Sequence, residues 1–186
     1  MPKYRQHLPI LIVLIGALLV GVFTVRDYGE SWDGADNFRY AAYAVRAYAY
    51  FFHPGDLPPF ETDLNLKGPA YFVAADAAAS LLRRLAPSWS QTDGRHFADF
   101  LMFLACAACI YLLARRWVRT SAALGAAVLF LSQPLLWGHA FINPKDIPFM
   151  ALFAASLLAG LWMMDRFGAA QPFRPALVVA AALLGV

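Results

Sequence analysis

Charged residues are scarce in this chain of 186 residues. Lys, Arg, Asp and Glu together account for 15% of it, hydrophobic residues for 61%, and the mean hydropathy is +0.54. Soluble domains carry charges at about 25% of their positions, so this composition excludes an ordinary soluble domain and predicts an integral membrane protein. The formal charge of +3 does not indicate nucleic-acid binding, because basic residues are expected at the ends of membrane spans.

Cysteine is scarcer still, with two residues, and a signal-peptidase site is missing. Cys106 and Cys109 both lie in an apolar run, where a thiol usually serves as a small packing residue, so they predict neither a disulfide framework nor a metal site. Residues 22–26 (VFTVR) follow the first apolar stretch without an A-x-A pattern. We therefore interpret that stretch as a retained anchor.

Long uncharged stretches divide the chain into spans. They cover residues 8–25, 100–114, 121–138 and 147–164, and a fifth begins near Pro175. About 20 apolar residues in a helix cross the roughly 30 Å hydrocarbon core of a bilayer. The pattern predicts an all-α, polytopic membrane bundle. We expect residues 1–186 to form a single membrane domain, the N-terminal part of a longer chain with further spans.

Basic residues in the short loops set the expected orientation. They are Lys3, Arg5, Arg115, Arg116, Arg119, Arg166 and Arg174. The positive-inside rule places such loops in the cytoplasm. Residues 26–94 then form a first external loop, and residues 139–146 form a short external turn. Since these two segments hold most of the acidic residues, we expect any chemistry on the external side.

The first external loop has the pattern of two juxtamembrane helices. Residues 35–52 (ADNFRYAAYAVRAYAYFF) place arginines and tyrosines at helical spacing, which is typical of an interfacial helix that is anchored in membrane lipid. The proline-rich residues 53–59 end this helix. A second helix should start at Gly68 and Pro69 and run to about residue 85. The alternative is that the first helix is only a membrane-surface anchor.

Three motifs carry a resemblance to a known family. Residues 36–41 (DNFRYA) resemble the acidic motif, Asp-Glu followed shortly by Tyr-Ala, in the first external loop of family 39 glycosyltransferases. That family includes the protein O-mannosyltransferases and the lipid A aminoarabinose transferases, which have the membrane-embedded class C fold. Residues 67–71 (KGPAY) are similar to the next motif, a Lys or His followed by Pro-Pro-Leu. Residues 143–149 (NPKDIPF) resemble a later stretch in which an Asp opens the fourth span.

Three positions depart from the family pattern. Asn37 replaces the second acidic residue, Gly68 replaces the first proline of the pair, and Leu66 stands where some members carry an acidic residue linked to metal binding. We therefore assign no cofactor. A divalent metal remains an alternative at Asp33-x-x-Asp36, although oxygen ligands this sparse usually indicate a solvated turn.

The resemblance implies an enzyme that transfers a sugar from a polyprenyl-phosphate-linked donor to a lipid, glycan or protein acceptor, at the outer face of a bacterial inner (plasma) membrane. The leaving group of such a donor is a phosphate, so a cation must offset the charge that grows as the glycosidic bond breaks. Lys67, Arg39 and Arg46 are the candidates for binding this phosphate. The sequence does not identify the sugar or the acceptor.

A carboxylate near the acceptor can remove its proton or orient it. Asp36 is the first candidate for this role, and Asp146, in the third motif, is the second catalytic candidate. Glu30 and Asp33 are alternative acids in the same loop as Asp36. Glycoside hydrolysis would need two carboxylates, but here one suffices because the phosphate needs no protonation.

Each candidate also has a plainer interpretation. Asp36 and Asp146 could cap the helices that they precede, with Pro148 in the first turn of the later helix. Lys67 could extend to the membrane interface without binding a ligand. His139 could be an ordinary interfacial polar group, and Pro134, inside the third stretch, predicts a kink.

Two other functions stay open. A secondary transporter would place ionisable residues near the middle of its spans, and these stretches have none there. A non-catalytic membrane subunit would use the helices to hold a partner. Substitution of Asp36 and Lys67 would have little effect in such a subunit.

Overall fold

The computed structural model describes residues 6–52, 55 and 68–168, and every regular element in these ranges is helical. The helices are α1 (Leu8–Thr24), α2 (Gly34–Phe52), α3 (Ala70–Leu85), α4 (Gln91–Ala114), α5 (Thr120–Leu131), α6 (Pro134–Ile142) and α7 (Asp146–Gly168), with a 3₁₀ turn at Val25–Asp27. The all-α expectation is confirmed for this part of the chain. Lys67, the fifth apolar stretch and the proline-rich residues 53–59, except Gly55, lie outside the described residues.

Among the described residues, three segments are long and apolar enough to cross a membrane: Leu8–Asp27, Gln91–Ala114 and Asp146–Phe167. α5 and α6 would together make a fourth, but they meet at an angle of 64°. The break falls at Pro134, which lacks a backbone N–H, and Gln133 before it is extended, as residues before proline usually are. The predicted kink is therefore confirmed as a break between two helices.

α4 begins nine residues before its apolar stretch because a capping box extends it. The Ser90 hydroxyl accepts from the Asp93 backbone N–H at 3.0 Å, and the Asp93 carboxylate accepts from the Ser90 N–H at 2.7 Å. Such reciprocal bonds satisfy two N–H groups that a helix start leaves unpaired. The first turns of α4 are therefore polar, and they carry Arg95 and Asp99 toward α3 and its neighbours.

The core lies along α4, which contacts α1, α3, α5, α6 and α7. Phe100 is fully buried and stacks on Phe141 of α6, with the ring centroids 4.5 Å apart. One turn further, Phe103 packs on Phe130 of α5 at 4.9 Å. Aromatic pairs at these separations stabilise the fold by more than the burial of their apolar area alone would.

Polar contacts define two ends of the bundle. At the arginine end, the Tyr111 hydroxyl donates to the carbonyl of Gln6 at 3.1 Å, and Arg116 forms two bonds of 2.8 Å with Asp165. At the loop end, residues 28–33 meet the turn at residues 143–146. The Tyr28 ring stacks on Phe141 there, at 4.2 Å between centroids.

Both helices of the first loop form close to their predicted bounds. The first half of α2 packs on α3, where Phe38, Tyr40 and Ala41 lie against Phe72 and Ala75. The end of α2 is exposed, and its apolar and aromatic surface includes Val45, Tyr48, Tyr50, Phe51 and Phe52. Their position at a membrane surface remains a prediction.

Gly94→Ala should destabilise the protein, because its methyl carbon would lie 2.8 Å from the Cα and Cβ atoms of Ala79 in α3. Overpacking costs about 1–3 kcal/mol, against the roughly 1 kcal/mol that alanine gains over glycine in a helix. Gly125→Ala in α5 is the matched control, since its Cβ would meet nothing within 4 Å. Thermal unfolding of detergent-solubilised protein, followed by tryptophan fluorescence, measures both. A Gly94→Ala variant that unfolds at the same temperature as the Gly125→Ala control would contradict the close packing of α3 on α4.

Candidate functional site at the loop end

The turn between α6 and α7 is fixed by one asparagine. The Oδ1 atom of Asn143 accepts from the backbone N–H groups of Lys145 at 3.2 Å and of Asp146 at 2.9 Å. Its Nδ2 group donates to the Asp146 carboxylate at 2.8 Å. Asn143 therefore caps α7, and the interpretation of Asp146 as the cap is wrong. Pro148 does lie in the first turn, as predicted, and Asp146 projects from it with an exposed carboxylate.

An ion pair joins this turn to the first loop. Lys145 donates to Asp33, whose carboxylate also accepts from the Ser31 hydroxyl at 3.1 Å. The side chains are 33% and 17% exposed. Burial raises the pKa of Asp33, but the hydrogen bonds from Lys145 and Ser31 and the charge of Lys145 outweigh burial and hold that pKa below its usual value. Asp33 is therefore a carboxylate at neutral pH.

Two cavities meet at this turn. The larger, of about 630 Å³, lies between the start of α3 and the start of α7. The smaller, of about 260 Å³, lies between the first loop and the turn, and its lining includes Ser31, Trp32, Asp33 and His139. Pro144, Lys145 and Asp146 border both. A ligand that extended from one cavity to the other would pass these three residues.

The larger cavity has an apolar side and a charged side. Phe72, Phe149 and Leu152 contribute aromatic and aliphatic surface, whereas Lys145 and Asp146 contribute charge. Such a lining suits a molecule with an apolar body and a polar head, because each part finds matching surroundings.

Three of the predicted residues lie on α2 and do not line either cavity in the described part of the structure. Asp36 lies in the first turn of α2 and forms an ion pair with Arg39 of the same helix, and the two side chains are 46% and 73% exposed. Arg46 is exposed further along α2. None of the three is among the described residues that line either cavity.

The remaining predicted residues are distributed as follows. Asp33 and Asp146 are brought together at the turn, Glu30 is exposed in the first loop, and Lys67 lies outside the described residues. Asp33 and Asp36, the alternative metal pair, bind Lys145 and Arg39 instead. In the described ranges, no group of three His, Cys, Asp or Glu residues is placed to hold a metal ion.

A hydrogen-bonded pair beside the larger cavity was missed by the sequence analysis. Tyr71, which lines the cavity, donates its hydroxyl proton to Asp99 of α4. Asp99 is 1% exposed. Burial and the nearby carboxylate raise the pKa of Tyr71 above its usual value, so the hydroxyl stays protonated. The available signal was an isolated acidic residue at the start of an apolar run.

A second polar cluster joins α2, α3 and α4 near the loop end. Arg95 of α4 binds the carboxylate of Asp76 in α3 at 2.6 and 2.8 Å, and Gln91 donates to the same carboxylate at 2.9 Å. The Arg95 guanidinium also lies 3.8 Å from the ring centroid of Phe38 in α2. Paired charges and a cation–π contact of this kind fix the position of α2 and α3 relative to α4.

Asn37, which departs from the family motif, is fully buried. It lies close enough to Asp33 to favour the charged form of that carboxylate, although neither amide atom makes a hydrogen bond of ordinary geometry. A second carboxylate at this position would be buried next to Asp33, at a high electrostatic cost. The neutral amide is consistent with this packing.

Comparison of the chain with protein-family models, curated proteins and solved structures finds no match. The described part of the structure does show the structural class of the protein. It is an all-helical protein with three membrane-length apolar helices, or four if the bent α5–α6 pair is one span. Its candidate site is the charged turn between two cavities.

Tyr71→Phe should lower stability by about 1–3 kcal/mol, because it leaves the buried side chain of Asp99 without its hydrogen-bond partner. The same substitution should cost less in an Asp99→Ala background, since no buried polar side chain is then left without its partner. Tyr48→Phe, at a side chain that is 62% exposed, is the control. Thermal unfolding of the four members of this double-mutant cycle gives the coupling. A zero coupling would contradict the pair.

Proposed function

We propose that this chain is part of a membrane enzyme that transfers a sugar from a polyprenyl-phosphate donor to a lipid, glycan or protein acceptor. The observation that carries the proposal is the larger cavity, whose apolar side ends at the charged turn of Lys145 and Asp146. An isoprenoid chain fits surface of the first kind and a sugar phosphate fits the second. The resemblance of residues 36–41, 67–71 and 143–149 points to the same donor class.

The reaction makes limited chemical demands on the protein. The bond between the anomeric carbon and the phosphate oxygen breaks, and the acceptor oxygen forms a bond to that carbon. The leaving phosphate keeps the electron pair, so a cation beside it lowers the barrier. The acceptor loses its proton to a carboxylate, which acts as the general base.

Among the carboxylates, the geometry favours Asp146 as this base. Its side chain is exposed and borders both cavities, so it can face a donor in one and an acceptor in the other. Asp36, the first candidate from the sequence, is paired with Arg39. Asp36 could act as the base only if its ion pair with Arg39 broke and its carboxylate turned toward the cavities.

The donor phosphate needs a cation at the charged turn. Lys67 precedes Gly68, which lines the larger cavity, and Lys67 remains a candidate on that ground. Arg39 and Arg46 are exposed on the surface of α2 and are not among the described residues that line the cavities, which favours contact with lipid headgroups.

We further propose that the protein is a multi-pass protein of the bacterial plasma membrane with the loop end outside. The support is the location of Arg115, Arg116 and Arg119, which cluster at the arginine end between α4 and α5. Short loops rich in arginine stay cytoplasmic. A loop-end site would then face donors whose sugar lies on the outer leaflet.

Cysteine labelling in intact cells should place the two ends on opposite sides. In a Cys106→Ala, Cys109→Ala background, Trp32→Cys at the loop end should react with an impermeant maleimide. Trp117→Cys at the arginine end should react only after the membrane is permeabilised. Both tryptophans are exposed, at 95% and 70%, so access is limited by the membrane. Labelling of Trp117→Cys from outside would overturn the orientation.

Asp146→Asn should lower turnover by roughly 10²–10⁴-fold, because it removes the basic group and keeps its size. Stability should change little, since Asn143 caps α7. The assay follows release of polyprenyl phosphate from a radiolabelled polyprenyl-phosphate sugar, with full-length protein and a membrane extract as the source of acceptor. Asp27→Asn, at an exposed acid of the 3₁₀ turn, is the matched control.

The same assay separates the other carboxylates. A loss confined to Asp36→Asn would assign the base to Asp36 and would place the reaction away from the cavities. Normal turnover of the Glu30→Gln, Asp33→Asn, Asp36→Asn and Asp146→Asn variants would contradict the mechanism. Absence of polyprenyl phosphate release by the wild-type protein would instead favour a transporter or a non-catalytic subunit.

A further inference from the structure

Lys145 has a position that no other described cation shares. Among the described residues that line the two cavities, it is the one Lys or Arg, and it borders both. The turn that carries it is held by the Asn143 cap and by the buried Pro144. The ammonium group is therefore supplied to the cavities from a rigid support.

The other paired cations are placed elsewhere. Arg39 is paired with Asp36 on the surface of α2, Arg95 is paired with Asp76 between α3 and α4, and Arg116 is paired with Asp165 at the arginine end. None of these lines either cavity in the described part of the structure. The N-terminus of α7 adds partial positive charge next to Lys145 and to no other of these cations.

In the structure, the Lys145 ammonium group is bound to the Asp33 carboxylate. The carboxylate lies on the side of the smaller cavity, and its partner reaches it from the turn that separates the two cavities. A phosphate that approached Lys145 from the larger cavity would meet the negative charge of Asp33 at the same ammonium. The two anions therefore compete for one cation.

We infer that Lys145 binds the phosphate of the lipid-linked donor and that Asp33 holds Lys145 until the donor replaces it. The inference rests on the proposed function for the donor class, whereas the recognised chemistry, a phosphate, is common to a lipid headgroup and to inorganic phosphate. No covalent bond changes in this step. The ammonium exchanges one anionic partner for another.

The proposed exchange predicts opposite effects on phosphate binding when Lys145 or Asp33 is replaced. Removing Lys145 deletes the cation and should weaken phosphate binding. Removing the charge of Asp33 deletes the competitor and should strengthen phosphate binding. A purely structural ion pair predicts neither, because loss of either partner would then affect stability alone.

Farnesyl phosphate is the probe, with farnesol and inorganic phosphate as the comparison ligands. Binding is measured by isothermal titration to the full chain in phosphatidylcholine nanodiscs, which carry no net anionic lipid. Lys145→Met should weaken farnesyl phosphate binding by roughly 10–100-fold, the usual effect of losing a hydrogen bond to a charged group. Asp33→Asn should tighten it by a few-fold to about tenfold. Lys145→Arg should keep binding, and Asp27→Asn should leave it unchanged.

The comparison ligands separate the sources of affinity. Farnesol should bind all variants equally, because it carries no phosphate. Inorganic phosphate should show the same order of variants as farnesyl phosphate, more weakly, if the cation alone recognises the headgroup. Each variant is also unfolded thermally, so that a weaker affinity can be separated from a loss of folded protein.

The outcomes distinguish the inference from the proposed function. Binding of farnesyl phosphate that is equal in the wild type, Lys145→Met and Asp33→Asn would overturn the partner exchange and leave the donor class standing. Binding to none of the variants would overturn both. Weaker binding in Asp33→Asn would show that Asp33 assists the phosphate site, and would also overturn the exchange.

Discussion

Burial of the aromatic side of α4 is the interaction on which the other helices depend. Phe100 and Phe103 are inaccessible to solvent, and they contact rings from α5 and α6. In the membrane setting that we propose, apolar surface gains little by leaving lipid, so helices associate through close packing and polar contacts. Small residues make this packing possible. Gly94 lies against the Cα and Cβ atoms of Ala79 in α3, and Gly21 of α1 lies directly against the Phe100 ring.

The position of the candidate site follows from that packing. α6 is held against α4 by Phe141, and the 64° break before α6 brings its C-terminal end to the first loop. The turn that follows is then short and rigid, because Asn143 satisfies its backbone N–H groups. As a result, Lys145 and Asp146 are presented between α3 and the first loop. Apolar packing thus positions charged groups that would otherwise sit in solvent.

The buried polar groups of the loop end make their contacts specific. Arg95 with Asp76, and Tyr71 with Asp99, join α3 to α4 at defined positions along both helices. Away from water, an unpaired member of either pair would cost far more than the pair contributes. A shift of α3 along α4 would break both pairs at once. The larger cavity, which begins at Tyr71, therefore has a fixed wall on this side.

The sequence by itself determined the helices, because length, hydropathy, proline position and capping act over a few residues. α1, α2, α3 and α7 lie close to their predicted bounds, and Pro134 marks the predicted kink. The sequence also pointed to Asp33 and Asp146, but it ranked Asp36 first from a short motif. Only the tertiary structure decided which charges meet. Asp33 and Lys145 are 112 residues apart in the chain, and Tyr71 and Asp99 are 28 apart. Such pairs depend on how the helices pack around α4, which no local pattern specifies.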